Sequence, residues 1–258
     1  MNFPLTLSVG GWQLSVHLLC ELLAFFLGFR YFLYLRGRQA DPIDDANRVW
    51  ILIGAAAGAL FGSRLIGSLE DPQAFFSGEH GIWYYYTSKT IVGGLLGGLA
   101  GVEWTKKTIG EQRSSGDLFT YPLIFGLMIG RIGCWSAGVF EPTYGLPSSL
   151  PWAMDLGDGI LRHPTALYEI VFLGMLAAAL GALERRWNLQ EGLRFQLFMI
   201  AYLCFRWGLE LLKPGFRFSF GLTTIQLSCV AGLLYYSRTI WRLIFHFSTL
   251  SKPLYAQE

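Results

Sequence analysis

Three arginines, Arg64, Arg131 and Arg206, lie within long apolar segments of this sequence. A charged side chain at the centre of a bilayer costs at least about 2.5–3.5 kcal/mol, and such residues mark functional sites by default. With a rise of about 1.5 Å per residue, each arginine would lie roughly 18–23 Å from the same end of its helix. Three separate segments therefore place a guanidinium at a similar depth.

Few carboxylates are available to neutralise these arginines. Glu210 follows Arg206 by four residues and Tyr202 precedes it by four, so the three side chains share one helix face. Glu169 is the other acidic residue predicted at this level. An Arg206–Glu210 pair could simply brace the helices, but it would leave the other two arginines in need of an anion.

This excess of arginine predicts a phosphate site, because guanidinium binds phosphate through paired hydrogen bonds. In the outer half of a membrane the abundant phosphate belongs to a phospholipid. The sequence therefore predicts a site for an anionic lipid headgroup that opens outward. The net charge of +2 is too small to indicate nucleic acid, and no motif predicts a metal or an organic cofactor.

A histidine begins the run His-Pro-Thr-Ala-Leu-Tyr-Glu, which spans 163–169 and includes Tyr168. Pro164 suits the first turn of a helix, which puts His163 at the outer mouth of the predicted site. An imidazole there could act as a switch or a base. Its alternative role is to cap or brace the loop.

The elements that must hold these residues are membrane helices. Of the 258 residues, 53% are apolar and only 15% are charged, against about 25% charged in soluble domains. The fold class is therefore all-α. A spanning helix needs about 20 mostly apolar residues, which predicts seven spans at residues 15–35, 49–68, 89–105, 117–137, 164–183, 194–213 and 221–241.

Loop charge predicts the orientation, because cytoplasmic segments are enriched in Lys and Arg. With the N-terminus outside, the cytoplasmic segments hold Arg36, Arg38, Arg48, Lys106, Lys107, Arg113, Arg185, Arg186, Arg194, Arg238, Arg242 and Lys252. The outer segments hold only Lys89, Arg162, Lys213 and Arg217. This asymmetry predicts an outer N-terminus and a cytoplasmic C-terminus.

We predict one transmembrane domain over residues 1–258, with an outer surface arm at 1–14 and an outer loop at 138–163. Alternating apolar residues on either side of Gly10 and Gly11 favour a short hairpin in the arm, and an irregular arm is the alternative. Small residues recur at every fourth position of several predicted helices, which is typical of close helix packing.

Four segments, in order along the chain, resemble the prolipoprotein diacylglyceryl transferase family. Arg64 ends a Gly-Ser-Arg run similar to the family's Gly-Ala-Arg, and residues 130–133, Gly-Arg-Ile-Gly, resemble the start of its signature. The run at 163–169 is close to His-Pro-x-Gln-Leu-Tyr-Glu. The four-residue spacing of Tyr, Arg and Glu that ends at Glu210 matches the family's penultimate helix.

The resemblance implies transfer of the diacylglyceryl group of phosphatidylglycerol, or of another anionic phospholipid, to the lipobox cysteine thiol of a prolipoprotein. The reaction would take place at the outer leaflet of the bacterial plasma membrane. Arg131 and Arg206 would hold the headgroup phosphate, Glu210 would orient Arg206, and Tyr202 would line the pocket. The other residues assigned to substrate binding are Arg64, Cys134, Glu141, Tyr168 and Glu169.

Three positions depart from the family pattern. Cys134 takes the place of an asparagine, and Glu141 is displaced from the position of a family carboxylate. Val92 stands where the family has a histidine proposed as a base, and an aliphatic side chain cannot accept a proton. Either His163 accepts the proton instead, or the chain is a diverged paralogue with a different acceptor or donor.

A protein of another class stays as an alternative. A non-catalytic phospholipid-binding or translocating protein would keep the arginines and need no base, as Val92 favours. The intact run at 163–169 and the Tyr-Arg-Glu spacing favour a transferase. An ion-coupled transporter would show inverted repeats, which this sequence lacks.

Overall fold

The computed structural model describes residues 3–39, 41–78, 81–245 and 251–253. Within these ranges the helices are α1 (Val16–Arg38), α2 (Asp45–Ser68), α3 (Pro72–Ser77), α4 (Gly81–Thr87), α5 (Ile91–Ile109), α6 (Asp117–Ala137), α7 (Thr165–Arg186), α8 (Leu193–Leu209), α9 (Thr224–Tyr235) and α10 (Ser237–Phe245). Three antiparallel strand pairs join β1 (Thr6–Val9) to β2 (Trp12–Ser15), β3 (Met154–Asp155) to β4 (Leu161–Arg162), and β5 (Trp187–Leu189) to β6 (Ser251–Pro253).

Five helices of the described chain, α1, α2, α6, α7 and α8, are long and apolar enough to cross a membrane. They coincide with the first, second, fourth, fifth and sixth predicted spans. The chain is therefore an all-α, multi-pass membrane protein, as predicted. α5 occupies the position of the third predicted span, and the total of seven stays a prediction.

The seventh predicted helix is divided in two, so a single helix over 221–241 is wrong. α9 starts at Thr224 because Thr223 forms a capping box with Gln226, in which each side chain accepts the other's backbone N–H. It ends where the Tyr236 N–H turns back toward the carbonyl oxygens of Gly232 and Leu234. The chain then continues into α10.

The backbones of α2 and α5 are in direct contact through glycines, and this confirms the predicted packing role of the small residues. A Cβ atom on Gly62 would lie 2.7 Å from the Cα of Gly97, and one on Gly93 would lie 2.9 Å from the Cβ of Ile66. Larger residues would force the helices apart. This close approach fixes the position of α2 relative to the rest of the bundle.

The N-terminal arm forms the predicted hairpin, with Thr6 paired to Ser15 and Val9 to Trp12. Residues 1–2 of the predicted arm lie outside the described residues. The Leu5 N–H donates to the Ser136 carbonyl at 2.8 Å, and the Val16 N–H donates to the Leu5 carbonyl at 3.2 Å. The hairpin therefore ties the start of α1 to the end of α6.

The opposite end of the bundle is closed by a buried ion pair. Arg48 is 1% exposed, and its Nε donates to Asp41 Oδ2 at 2.9 Å. Its Nη1 donates to the Ser115 carbonyl at 3.2 Å. These contacts join the α1–α2 connection to the start of α6.

Candidate functional site

The centre of the site is an ion pair between α6 and α7. Arg131 Nε lies 2.9 Å from Glu169 Oε2, and the two residues are only 7% and 1% exposed. Tyr202 of α8 donates its hydroxyl to Glu169 Oε1 at 2.7 Å. One carboxylate therefore holds both a guanidinium and a phenol, and it joins three helices.

A second ion pair lies on α8. Arg206 Nη1 is 2.8 Å from Glu210 Oε2, and both residues are 3% exposed. Glu210 lies in a short 3-10 turn that follows α8, so the predicted face of Tyr202, Arg206 and Glu210 continues past the end of the helix. The charge of Arg206 also interacts with Glu169.

We call these five residues, Arg131, Glu169, Tyr202, Arg206 and Glu210, the arginine–glutamate centre. Its two cations each have a carboxylate partner, so the excess of positive charge expected from the sequence is reduced. Each carboxylate engages one nitrogen of its arginine, whereas a guanidinium carries five N–H donors. The centre therefore retains donors for a further anion.

Cys134 belongs to this environment, because Arg131 Nη1 lies 3.4 Å from its Sγ atom. Gly133, one residue earlier, packs against α1, and a Cβ there would come within 2.9 Å of the Cβ of Cys20. The glycine lets α1 approach α6 directly. Arg131 is left on the other side of the helix, where it faces Glu169.

Glu141 faces a different group. Its Oε1 atom lies 3.5 Å from Nε2 of His17, in the first turn of α1. Glu21 lies 4.0 Å from the same nitrogen and 2.6 Å from Lys89 Nζ. Glu141 thus belongs to a polar cluster beside the hairpin rather than to the arginine–glutamate centre.

His163 and Tyr168 lie together at the start of α7. His163 Nδ1 is 3.2 Å from the Tyr168 hydroxyl, which accepts a hydrogen bond from Trp152 Nε1 at 2.8 Å. Both residues are half-buried. Tyr168 immediately precedes Glu169, so this pair lies close along the chain to the central ion pair.

Arg64 contacts an aromatic ring, whereas Arg131 and Arg206 each pair with a glutamate. Its guanidinium carbon lies 5.3 Å from the centre of the Tyr86 ring, a cation–π arrangement with α4. The adjacent Ser63 bonds with Thr90 through its hydroxyl, which fixes α2 to the start of α5.

Sequence reasoning missed two charged residues near the centre, Glu70 and Lys213. Lys213 is 7% exposed and follows Glu210 by three residues, and its N–H donates to the Glu210 carbonyl at 3.2 Å. Lys213 lies three residues after Glu210, and this i, i+3 spacing could have indicated it. Glu70 lies in the turn that follows α2, far from Glu210 along the chain, so only the tertiary structure relates their charges.

Val92 is fully buried at the start of α5. It packs in the apolar core with residues of α7, α8 and α9. Among the described residues, no cluster of three or more His, Cys, Asp or Glu side chains is placed to hold a metal ion.

The helices and the arginine–glutamate centre define a class: a multi-pass α-helical membrane protein with paired arginines and glutamates buried toward one end of its bundle. The sequence profile of the prolipoprotein diacylglyceryl transferases matches residues 4–242, and the chain belongs to that family. The predicted resemblance is thereby confirmed, and the chain is a transferase of this kind.

Individual relatives agree with the profile. The phosphatidylglycerol–prolipoprotein diacylglyceryl transferase of Nitratidesulfovibrio vulgaris is 32% identical over 227 residues, which cover 81% of this chain and 80% of that protein. The enzyme of the same name from Gloeobacter violaceus is 29% identical over 256 residues, 92% of this chain and 91% of that protein. That from Cutibacterium acnes is 27% identical over 225 residues, 80% and 72% of the two chains.

Proposed function

We propose that this chain transfers the diacylglyceryl group of phosphatidylglycerol to the lipobox cysteine thiol of a prolipoprotein. The observation that carries this proposal is the arginine–glutamate centre in a chain of this family. The relatives named above act on the same donor and acceptor, as their names state.

Arg131 and Arg206 hold the phosphate of the headgroup in this proposal. Both are buried, which strengthens their interaction with an anion. Glu169 and Glu210 each hold one edge of a guanidinium and so set its direction. The arginines then stabilise the negative charge that gathers on the phosphate as it leaves.

The acceptor thiol must lose its proton to attack. In this proposal His163 accepts that proton, and its Nδ1 lies beside the Tyr168 hydroxyl. The sulfur of the acceptor then bonds to the glyceryl carbon as the carbon–oxygen bond to phosphate breaks. Tyr202 lines the pocket, and Cys134 and Tyr168 contact the substrates.

The placement in the membrane is part of the proposal. We place the end of the bundle that carries the arginine–glutamate centre in the outer leaflet of the bacterial inner membrane. The N-terminus is outside and the C-terminus is cytoplasmic. α5 and the segment 221–241, which holds α9 and part of α10, complete seven spans. Arg64, stacked on Tyr86, and Glu141, beside His17, line the outer approach to the lipid.

The test is a transfer reaction with the purified chain, phosphatidylglycerol labelled in its acyl chains, and a lipobox peptide. Mass spectrometry reports the thioether product. We expect product from the natural chain and none from Arg131→Ala or Arg206→Ala. Arg194→Ala is the matched control, because Arg194 pairs with Glu184 far from the centre along both helices. Product that persists in both site variants would contradict the proposal.

His163→Ala tests the proton acceptor separately. Loss of a general base lowers the rate by about 10²–10⁴-fold. We expect this loss in the rate constant for transfer, while phosphatidylglycerol binding is retained. An unchanged rate would exclude His163 from this role.

One observation favours a second candidate function. Val92 is buried in the core at the position of the family's histidine, so a base is missing there. A non-catalytic phospholipid-binding or translocating protein, or a paralogue with another acceptor, needs no base at that position. Arginine-dependent binding of phosphatidylglycerol without thioether product would support this candidate and contradict the proposed transfer to a lipobox cysteine.

A further inference from the structure

The outer loop holds His163 through its backbone. The His163 N–H donates to the Leu146 carbonyl at 3.0 Å, and the His163 carbonyl accepts the Thr165 N–H at 2.9 Å. Gly145 packs directly against this residue, since a Cβ there would lie 2.6 Å from the Cβ of His163. The imidazole is therefore attached at a fixed point between the loop and the start of α7.

The same loop reaches the side chain of Tyr168, five residues further along the chain. Trp152 lies in a turn that is closed by a hydrogen bond of 2.9 Å from the Ala153 N–H to the Leu150 carbonyl. Its Nε1 donates to the Tyr168 oxygen at 2.8 Å, and His163 Nδ1 lies 3.2 Å from the same oxygen. Both distances are those of hydrogen bonds. The phenol oxygen thus lies between an indole N–H and an imidazole nitrogen.

The chemistry of the three side chains sets the direction of these hydrogen bonds. An indole has a donor and no acceptor, so the Tyr168 oxygen accepts from Trp152. A hydroxyl that accepts a hydrogen bond becomes a stronger donor, because hydrogen bonds in a chain polarise one another. This favours donation by the Tyr168 O–H to Nδ1 of His163, which leaves the proton of the neutral imidazole on Nε2.

In this tautomer the nitrogen that can accept a proton is Nδ1, and the Tyr168 hydroxyl covers it. We propose that Tyr168 relays the proton of the acceptor thiol to His163, and that Trp152 positions the Tyr168 oxygen for this transfer. The inference rests on the proposed transferase function with His163 as the base. It deepens that function by naming the group that meets the thiol.

The step balances in atoms and charge. The thiol proton bonds to the Tyr168 oxygen as the original phenol proton moves to Nδ1 of His163. The sulfur keeps the electron pair of its S–H bond and forms a bond to the glyceryl carbon, while the carbon–oxygen bond to phosphate breaks with its electron pair on oxygen. A singly charged phosphodiester and a neutral thiol thus become a neutral thioether, a doubly charged glycerol phosphate and a protonated imidazole.

Trp152 can assist this relay without touching the substrate. Negative charge gathers on the Tyr168 oxygen when its proton moves toward His163 ahead of the thiol proton. The indole N–H, 2.8 Å away, stabilises that charge and fixes the oxygen in line with Nδ1. Trp152 is 57% exposed, so little of its ring is engaged in packing. Replacement by Phe therefore removes chiefly the N–H donor.

The test measures the transfer rate of Tyr168→Phe and Trp152→Phe with a cysteine lipobox peptide. We expect Tyr168→Phe to lower the rate by about 10²–10⁴-fold, as loss of the base does. Trp152→Phe should lower it by about 2–10-fold, the equivalent of one neutral hydrogen bond. The matched controls are Tyr34→Phe on α1 and Trp104→Phe on α5, because both residues are exposed; neither should change the rate.

A second acceptor separates proton transfer from folding. A selenol is already ionised at neutral pH, so a lipobox peptide with selenocysteine in place of cysteine needs no base. Both site variants should modify this peptide as fast as the natural chain does. Equal impairment with the two peptides would mean that Tyr168 and Trp152 serve only the structure, and it would overturn the relay.

A double variant tests whether Tyr168 and His163 act as one unit. Tyr168→Phe combined with His163→Ala should be no slower than either single variant, because residues of one unit give non-additive losses. Multiplied losses, or an unchanged rate in Tyr168→Phe beside the expected loss in His163→Ala, would overturn the relay and leave the transferase function intact. No thioether from the natural chain would overturn the transferase function and the relay with it.

Discussion

Removal of the carboxylate of Glu169 is the sharpest test of the site. Glu169→Gln keeps an oxygen for the Tyr202 hydroxyl but leaves Arg131 without a counter-charge. Arg131 is 7% exposed and Glu169 is 1% exposed, so the pair is buried and not a surface pair. Removing one partner of a buried pair costs about 3–5 kcal/mol, whereas exposed pairs contribute about 0–1 kcal/mol.

Phosphatidylglycerol should restore much of this loss. A phosphate that reaches Arg131 replaces the missing negative charge, so the lipid binds the variant with a larger gain in stability than it gives the natural chain. A ligand at 100 times its Kd stabilises a protein by about 2.7 kcal/mol, which approaches the lower end of the loss. Phosphatidylcholine, which has no net charge, should stabilise less.

Denaturant titration in mixed micelles, with and without each lipid, measures these free energies of unfolding. Glu184→Gln is the matched control, because the Glu184 side chain is 25% exposed and pairs with Arg194 away from the centre. This substitution should lower the free energy of unfolding by about 1 kcal/mol or less. Phosphatidylglycerol should stabilise this variant no more than it stabilises the natural chain. A loss below about 1 kcal/mol in Glu169→Gln, or equal lipid effects in variant and natural chain, would refute the reasoning.

Two further predictions concern the frame that holds the site. Gly97→Val should prevent α2 and α5 from packing, because its Cβ would clash with the Gly58 carbonyl oxygen. Gly98→Ala should be tolerated, because its Cβ would lie 3.5 Å from the Ala55 carbonyl oxygen. Thermal melting of both variants in detergent compares their stabilities. At the opposite end, burial opposes ionisation of Asp41, but hydrogen bonds from Arg48 outweigh it and lower the pKa of Asp41. Its contribution to stability is therefore complete above the unfolded pKa of about 3.9 and is lost as pH falls through the lower folded pKa. Asp41→Asn should remove that acid-side decline in an unfolding titration, and an unaltered pH dependence would contradict this.

Much of the fold could be predicted because a membrane helix is recognisable from a local run of apolar residues. Twenty apolar residues in a row have few alternatives in a bilayer, and five predicted spans coincide with helices that meet the length and hydropathy of a span. The last predicted helix was wrong because a cap at Thr223 and a turn at Tyr236 are local features that hydropathy does not record.

The site was predicted in part for a similar reason. Arg206 and Glu210 pair as their spacing implies, because residues four apart share a helix face. Arg131 is joined to Glu169 across two helices, and Arg64 instead stacks on Tyr86. The similar depth of the three arginines along separate helices therefore did not predict which group each of them contacts.

The sequence by itself determined the class of protein, the presence of arginines where cations are costly, and the family. Those properties depend on residue types and their spacing along one chain. Only the tertiary structure decided the partners of each charge: that Glu169 serves both Arg131 and Tyr202, and that Arg64 stacks on Tyr86 of α4. Charge pairing depends on how helices rotate and pack against each other, and glycine contacts far from the site set that packing.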